Sequence, residues 1–204
     1  MRHIFKAAAV VLATMAAVSC DNNKFRVEGE ISNAKDSVLY FENVGLEGIQ
    51  MLDSVTLGEG GSFAFSGNAT EAPEFYRLRI ADQIINVSID STETVTIKGE
   101  YPGMASNYTV SGSDNCDKIR ELALRQMDLQ RKAIEIQNNT DLGIAKANDS
   151  IMQLINAYKE DVKQNFIYKE PYKAYSYFAL FQTIGNWLIF NPRTDKNDIT
   201  AFAA

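Results

Sequence analysis

Histidine is almost missing from this chain: of 204 residues, only His3 is one. Cysteine is nearly as scarce, with Cys20 and Cys116 far apart and no Cys-x-x-Cys pair. Histidine triads and histidine metal sites need side chains that the sequence does not supply in number. Dithiol exchange needs a second thiol close to the attacking one, and that too is lacking. Basic runs are absent as well. Lys and Arg number 20 against 26 Asp and Glu, a formal net charge of −6. Binding to a phosphate backbone rests on clustered cations, so nucleic acid is excluded as a partner. Neither an internal repeat nor a low-complexity tract breaks the chain. What is present is an ordinary apolar fraction of 46%, enough for a real core in one or two compact units.

The N-terminus carries the strongest local pattern. Arg2 and Lys6 precede an apolar run over residues 7–18. The run is too short to cross a bilayer and fits a secretory signal peptide over residues 1–19. Its end, Ala17-Val18-Ser19-Cys20, resembles a bacterial lipobox. That resemblance implies acylation of Cys20, which becomes the mature N-terminus and holds the chain on a membrane by buried methylene groups. Residues 20–23 then form a short lipidated tether. Removing residues 1–19 takes away His3, Arg2 and Lys6, leaving 18 Lys and Arg against 26 Asp and Glu, a net of −8. Cys116 is then the single free thiol. It sits in a first helical turn, where the dipole lowers a thiol pKa, but Asp114 and Asp117 oppose that, so an ordinary thiol is expected.

Over residues 24–112 the apolar spacing has period two. Phe25, Val27, Gly29 and Ile31 are in phase. Val38, Leu39, Tyr40 and Phe41 are apolar on both faces, predicting a central strand. Ile49, Met51, Val55 and Leu57 fall on one face, and Phe63 and Phe65 follow a Gly58-Glu59-Gly60-Gly61 turn. This predicts a β-hairpin over residues 49–67 as the organising element of the domain. Asp53 is in phase with the apolar set, which predicts a bulge turning it outward or, as the alternative, a functional carboxylate. Tyr76, Leu78 and Ile80 point inward, against Phe75, Arg77 and Arg79. Arg77 and Arg79 suit a solvated face or an anion. Strands around Ile85 to Ile89, Val95 to Ile97 and Tyr108 to Val110 complete about eight. Short antiparallel strands at regular spacing predict a sandwich or barrel.

The period changes at Ser113, an N-cap with Asp114 and Asp117 behind it. Ile119, Leu122, Ala123, Met127, Ala133 and Ile134 recur at helical spacing. A second stripe runs Ile144, Ile151, Leu154, Ile155, Tyr158, Val162 and Phe166, giving an antiparallel helical hairpin. After Glu170-Pro171, residues 172–190 predict a further helix, apolar on nearly all sides. Lys173, Gln182 and Asn186 count against a membrane span. Few residues follow to cover it. Tyr172, Tyr175, Phe178, Phe181 and Trp187 are therefore expected to form a partner surface, and the helical region over 113–204 to be truncated. The class is α+β: an antiparallel sandwich or barrel, then a helical hairpin and an apolar helix.

FRVEGEI, LDSV leading to GGSFAFSG, FYRL, INVSID, YTVSGS and YSYFALFQTIGNWLIFNP together resemble one family. It is the N-terminal β domain of unknown function, with a helical extension, of Bacteroidetes lipoproteins. The likeness spans Phe25 to about Phe202. In that family the domain precedes a thioredoxin-like domain with Trp-Cys-x-x-Cys, in proteins called thiol:disulfide oxidoreductases. The resemblance implies a lipid-anchored accessory domain in the cell envelope, at the periplasmic face or outer membrane, with no redox chemistry of its own. Its partners would be the membrane, through acylated Cys20, and a missing or separate thioredoxin-like domain. No residue here matches the Cys-x-x-Cys, so no catalytic residue is carried over, and no cofactor or metal is expected. A free-standing envelope module binding glycan or peptide through a concave aromatic-lined site stays open. A hydrolase would have to work with carboxylates alone.

Overall fold

The computed structural model describes residues 23–191, 193 and 195. The expected signal peptide and the lipidation at Cys20 lie outside the described residues. Alternation produces eight strands: β1 Lys24–Ser32, β2 Val38–Gly45, β3 Gly48–Thr56, β4 Ser62–Asn68, β5 Glu74–Ile80, β6 Gln83–Ile89, β7 Thr94–Glu100 and β8 Tyr108–Ser111. They form two sheets, ordered β4-β1-β7-β8 and β3-β2-β5-β6. Their inward residues make one buried cluster, with Phe25, Val27, Phe65 and Ile97 from one sheet against Leu39, Phe41, Leu78 and Val87 from the other. Phe41 of β2 stacks on Phe65 of β4 with centroids 5.1 Å apart and planes at 9°. Rings meeting across two sheets define a sandwich, and the described residues hold no closed barrel. β2 is an interior strand, as its two apolar faces predict. One interior pairing, β1 with β7, is parallel; the others in the sandwich are antiparallel.

The predicted hairpin over residues 49–67 does not form: β3 pairs with β2, whereas β4 pairs with β1 in the opposite sheet. The glycine turn is a crossing between sheets. Leu57 stays with the β3-β2-β5-β6 sheet, its N–H donating to Ser37 O at 2.9 Å. Four residues on, Gly61 O accepts from Ile31 N at 2.9 Å, so the chain has reached β1. Gly61 sits at φ +63°, and a Cβ there would lie 1.9 Å from the Ile31 carbonyl oxygen. Only glycine accommodates both that φ and that approach.

The predicted bulge is present, with a different consequence. Phe41 lies opposite Asp53 and Glu42 opposite Met51, so Leu52 is the extra residue. Directly opposed residues share a face. Asp53 therefore keeps the face of Phe41, while Ile49 and Met51 are carried to the outer face beside Val44 and Glu42. The bulge turns these two apolar residues outward, and β3 is exposed along most of its length.

Ser113 caps α1 (Asp114–Gln137), its side chain accepting from Cys116 N at 3.4 Å. α2 (Ile144–Val162) runs on into a π-helical turn at Lys163–Ile167. The apolar stretch 172–190 is not one helix. α3 covers only Ala174–Leu180; β9 (Thr183–Ile184) and β10 (Trp187–Leu188) follow as a small hairpin. Gly185, at φ +55°, starts its two-residue turn. Gln182 anchors the fold-back: its buried amide donates to Leu122 O at 3.0 Å and accepts from Tyr158 OH, and its backbone carbonyl accepts from Ile189 N at 3.0 Å. The apolar stretch thus buries Tyr175, Ala179, Ile189 and Phe190 in a second core with Leu122, Leu129, Val162 and Phe166. Among the described residues no helix is long and apolar enough to cross a membrane.

Candidate functional site

The outer face of β5 carries one aromatic residue, Phe75, beside Arg77 and Arg79. The two arginines meet an anion from the chain itself. Arg79 donates from Nη2 to Glu42 Oε1 at 2.7 Å and from Nε to the same oxygen at 3.0 Å, and Arg77 Nε donates to Glu42 Oε2. Arg79 also lies over the Tyr40 ring, 4.4 Å from its centroid. The register that sets Glu42 opposite Arg77 makes this pairing unavoidable. Arg79 above all, with Arg77, holds the Glu42 carboxyl below its ordinary value of 4.5, although burial pushes the other way. A depressed folded-state pKa contributes stability that is present above the unfolded value and lost as pH falls through the folded one. Glu42→Gln is expected to cost about 2–3 kcal/mol at pH 7. The gap in urea midpoint between the variant and the parent chain should narrow as the pH drops well below 4.5; a gap equal at both ends would show that charge is not its cause.

Phe75 opens onto a groove of about 730 Å³ between the β2–β3 turn, the start of β5 and α3. Phe75 and Phe178 meet at 6.5 Å between centroids and form its apolar side with Tyr177 and Phe181. Val44, Gly45 and Leu46 make the opposite wall, with Leu46 fully exposed. The polar part is compact. Tyr76 OH donates to Glu74 Oε2 at 2.7 Å, and Asn43 Nδ2 donates to the same oxygen at 3.2 Å. Burial, followed by the neighbouring Glu74, pushes the Tyr76 hydroxyl pKa well up. It stays a donor at any physiological pH. Asn86 adds an amide. One carboxylate held by two donors is suited to recognising a ligand rather than to moving protons, since no second acid or base faces it in the lining. A smaller trough between α1 and α2 is lined by charges already paired, Lys132 with Asp128 and Arg125 with Asp161.

The five residues expected to form a partner surface separate. Phe178 and Phe181 line the groove, Phe181 remaining 70% exposed. Tyr172 and Trp187 are exposed but do not line it. Tyr175 is buried, edge-on to Phe166 at 6.3 Å, and its hydroxyl donates to Glu170 Oε2 at 2.6 Å. Sequence reasoning missed Phe75, Tyr177 and the 43–46 wall. The readable signal was Phe75, an aromatic on the strand face otherwise given to arginines.

Cys116 is buried in the sandwich core. Its Sγ donates to Ser88 O at 3.1 Å and accepts from Ser88 N at 3.4 Å. Burial pushes the thiol up to about 11, against the smaller lowering effect of the Ser88 and Ser113 hydrogen bonds. Among the described residues no group of three or more His, Cys, Asp or Glu side chains could hold a metal ion.

Residues 25–119 match the model of a family described as a domain of unknown function, DUF4369. The matched stretch runs from β1 through β8 into the first turns of α1, ending just beyond Cys116, the last residue of the sandwich core. No curated protein and no solved structure matches the chain.

Proposed function

We propose that this chain is a lipid-anchored accessory domain of a cell-envelope thiol:disulfide oxidoreductase, without redox chemistry of its own, and that its groove docks a polypeptide. The groove carries this reading: an aromatic and aliphatic surface, left open by Phe181 and Leu46, beside a fixed carboxylate. Apolar concavities with a few oriented polar groups are the usual form of binding sites. The chemistry of Cys116 supports an accessory role, since a buried thiol at about 11 is almost wholly protonated at neutral pH and the thiolate is the nucleophile. The lipobox-like Ala17-Val18-Ser19-Cys20 supports anchoring.

The test has two parts. In a disulfide-reduction assay driven by dithiothreitol, the chain should add nothing to the background rate, and Cys116 should react with a thiol reagent only after denaturation. Turnover by the chain would overturn the accessory role. Expressed with its leader in a bacterium fed labelled palmitate, the chain should take up label, and Cys20→Ser should not; equal labelling would remove the anchor. The aromatic lining with Asn43, Glu74 and Asn86 also favours a second reading, a free-standing module for glycan or peptide. An array signal abolished by Phe181→Ala in the absence of any redox partner would select it.

A further inference from the structure

β3 is an edge strand, paired to β2 and, among the described residues, to nothing on its other side. Such an edge presents unpaired backbone N–H and C=O groups at alternate residues. Edges are ordinarily protected by lysine or proline, and Gly48–Thr56 contains neither. What it shows to solvent is apolar: Ile49 is 52%, Met51 63% and Leu52 51% exposed. The Leu52 bulge interrupts the edge at one point, but the register is regular from Gly48 to Met51 and again from Asp53 to Thr56. Charge here has one sign. Between Lys35 and Arg77 the sequence has no Lys or Arg, and the exposed Glu47 and Asp53 flank the apolar run. The nearest cations on that face, Arg77 and Arg79, are taken up by Glu42.

We infer that β3 binds an extended polypeptide by strand addition, the incoming strand placing apolar side chains against Ile49 and Met51 and basic side chains beside Glu47 and Asp53. Main-chain pairing supplies affinity in this mode, and side chains supply choice of partner. A second copy of this chain is the poorer occupant. Two β3 strands would bring Glu47 and Asp53 from both sides with no cation between them, and like charges brought together across a strand pair are destabilising. The inference is independent of the groove and of any redox partner.

The probe is a short labelled peptide alternating valine with threonine and carrying lysine at both ends, titrated with the full chain by fluorescence anisotropy. It should bind. Glutamate in place of the lysines should weaken it about tenfold, within the range of two cross-strand charge pairs. Proline at alternate positions should abolish binding, since it removes the donors. Ile49→Lys and Met51→Lys should weaken binding with little change in the urea midpoint, because more than half of each side chain is already in water. Phe181→Ala, in the groove, should leave it unchanged. Equal binding of the lysine and glutamate peptides, or no effect of either β3 substitution, would overturn the proposal. So would a dimer in light scattering that Ile49→Lys dissociates.

Discussion

The Gly61→Ala chain is expected to lose more than about 4 kcal/mol of stability, the range in which single substitutions reveal a specific clash. The added Cβ would sit 1.9 Å from the Ile31 carbonyl oxygen, at a φ of +63° that costs any other residue further. Neither can be relieved locally. The Ile31 carbonyl belongs to β1, an interior strand, and Gly61 O holds Ile31 N from the other direction. Gly60→Ala is the matched control, because its Cβ would meet nothing nearer than Ser62 Oγ at 3.8 Å. Urea unfolding of the two variants should differ by most of the stability of a small domain, which is about 5–15 kcal/mol. If the two alanines behave alike, the crossing between sheets is not where β4 is set.

Phe41→Ala is expected to cost about 3–5 kcal/mol. Its ring lies at the centre of the sandwich, stacked on Phe65 at 5.1 Å and on Tyr76 at 5.1 Å, with Phe25 edge-on at 6.3 Å. Truncation leaves a cavity bounded by both sheets, neither of which can close on it without moving the other. Phe41→Leu should recover part of the loss by restoring volume, with the remainder reflecting aromatic pairs at about 0.5–1.5 kcal/mol each. Phe181→Ala, 70% exposed, should stay within about 0.5 kcal/mol of the parent. A loss for Phe181→Ala as large as for Phe41→Ala would place the main core elsewhere.

Local pattern was legible where one face of an element decides it. The strands of the sandwich, the Ser113 cap and the stripe from Leu154 to Val162 follow from spacing, because each packs an apolar face on one neighbour, whereas Ile144 at the start of α2 stays 84% exposed. Partnership between strands was not legible. The spacing of Ile49, Met51, Phe63 and Phe65 fits a hairpin and a sheet crossing equally well, and what separates them is the contact of Gly61 with Ile31, far back along the chain. The single extra residue at Leu52 then inverted the facing of Ile49 and Met51, since a strand's period is two. The stretch 172–190 misled for another reason. Its apolar content fits a helix, but Gly185-Asn186 is a hairpin turn pair that folds it back on itself. The groove escaped because its walls come from β2, β5 and α3, which only the fold brings together.

The place of β1 has a consequence for the order in which this protein can assemble. The first strand of the sandwich to be synthesised is held on one side by β4 and on the other, in parallel, by β7, with Ser32 opposite Glu100. Nascent chain ending anywhere before β7 leaves β1 with an open side, and β2 and β3 can pair long before it is filled. The sandwich therefore closes late and all at once, in the class of topologies dominated by distant pairings that take milliseconds to seconds. Until β7 emerges, an unsatisfied edge belongs to the earliest strand of the domain, which makes β1 the strand a chaperone would have to shield.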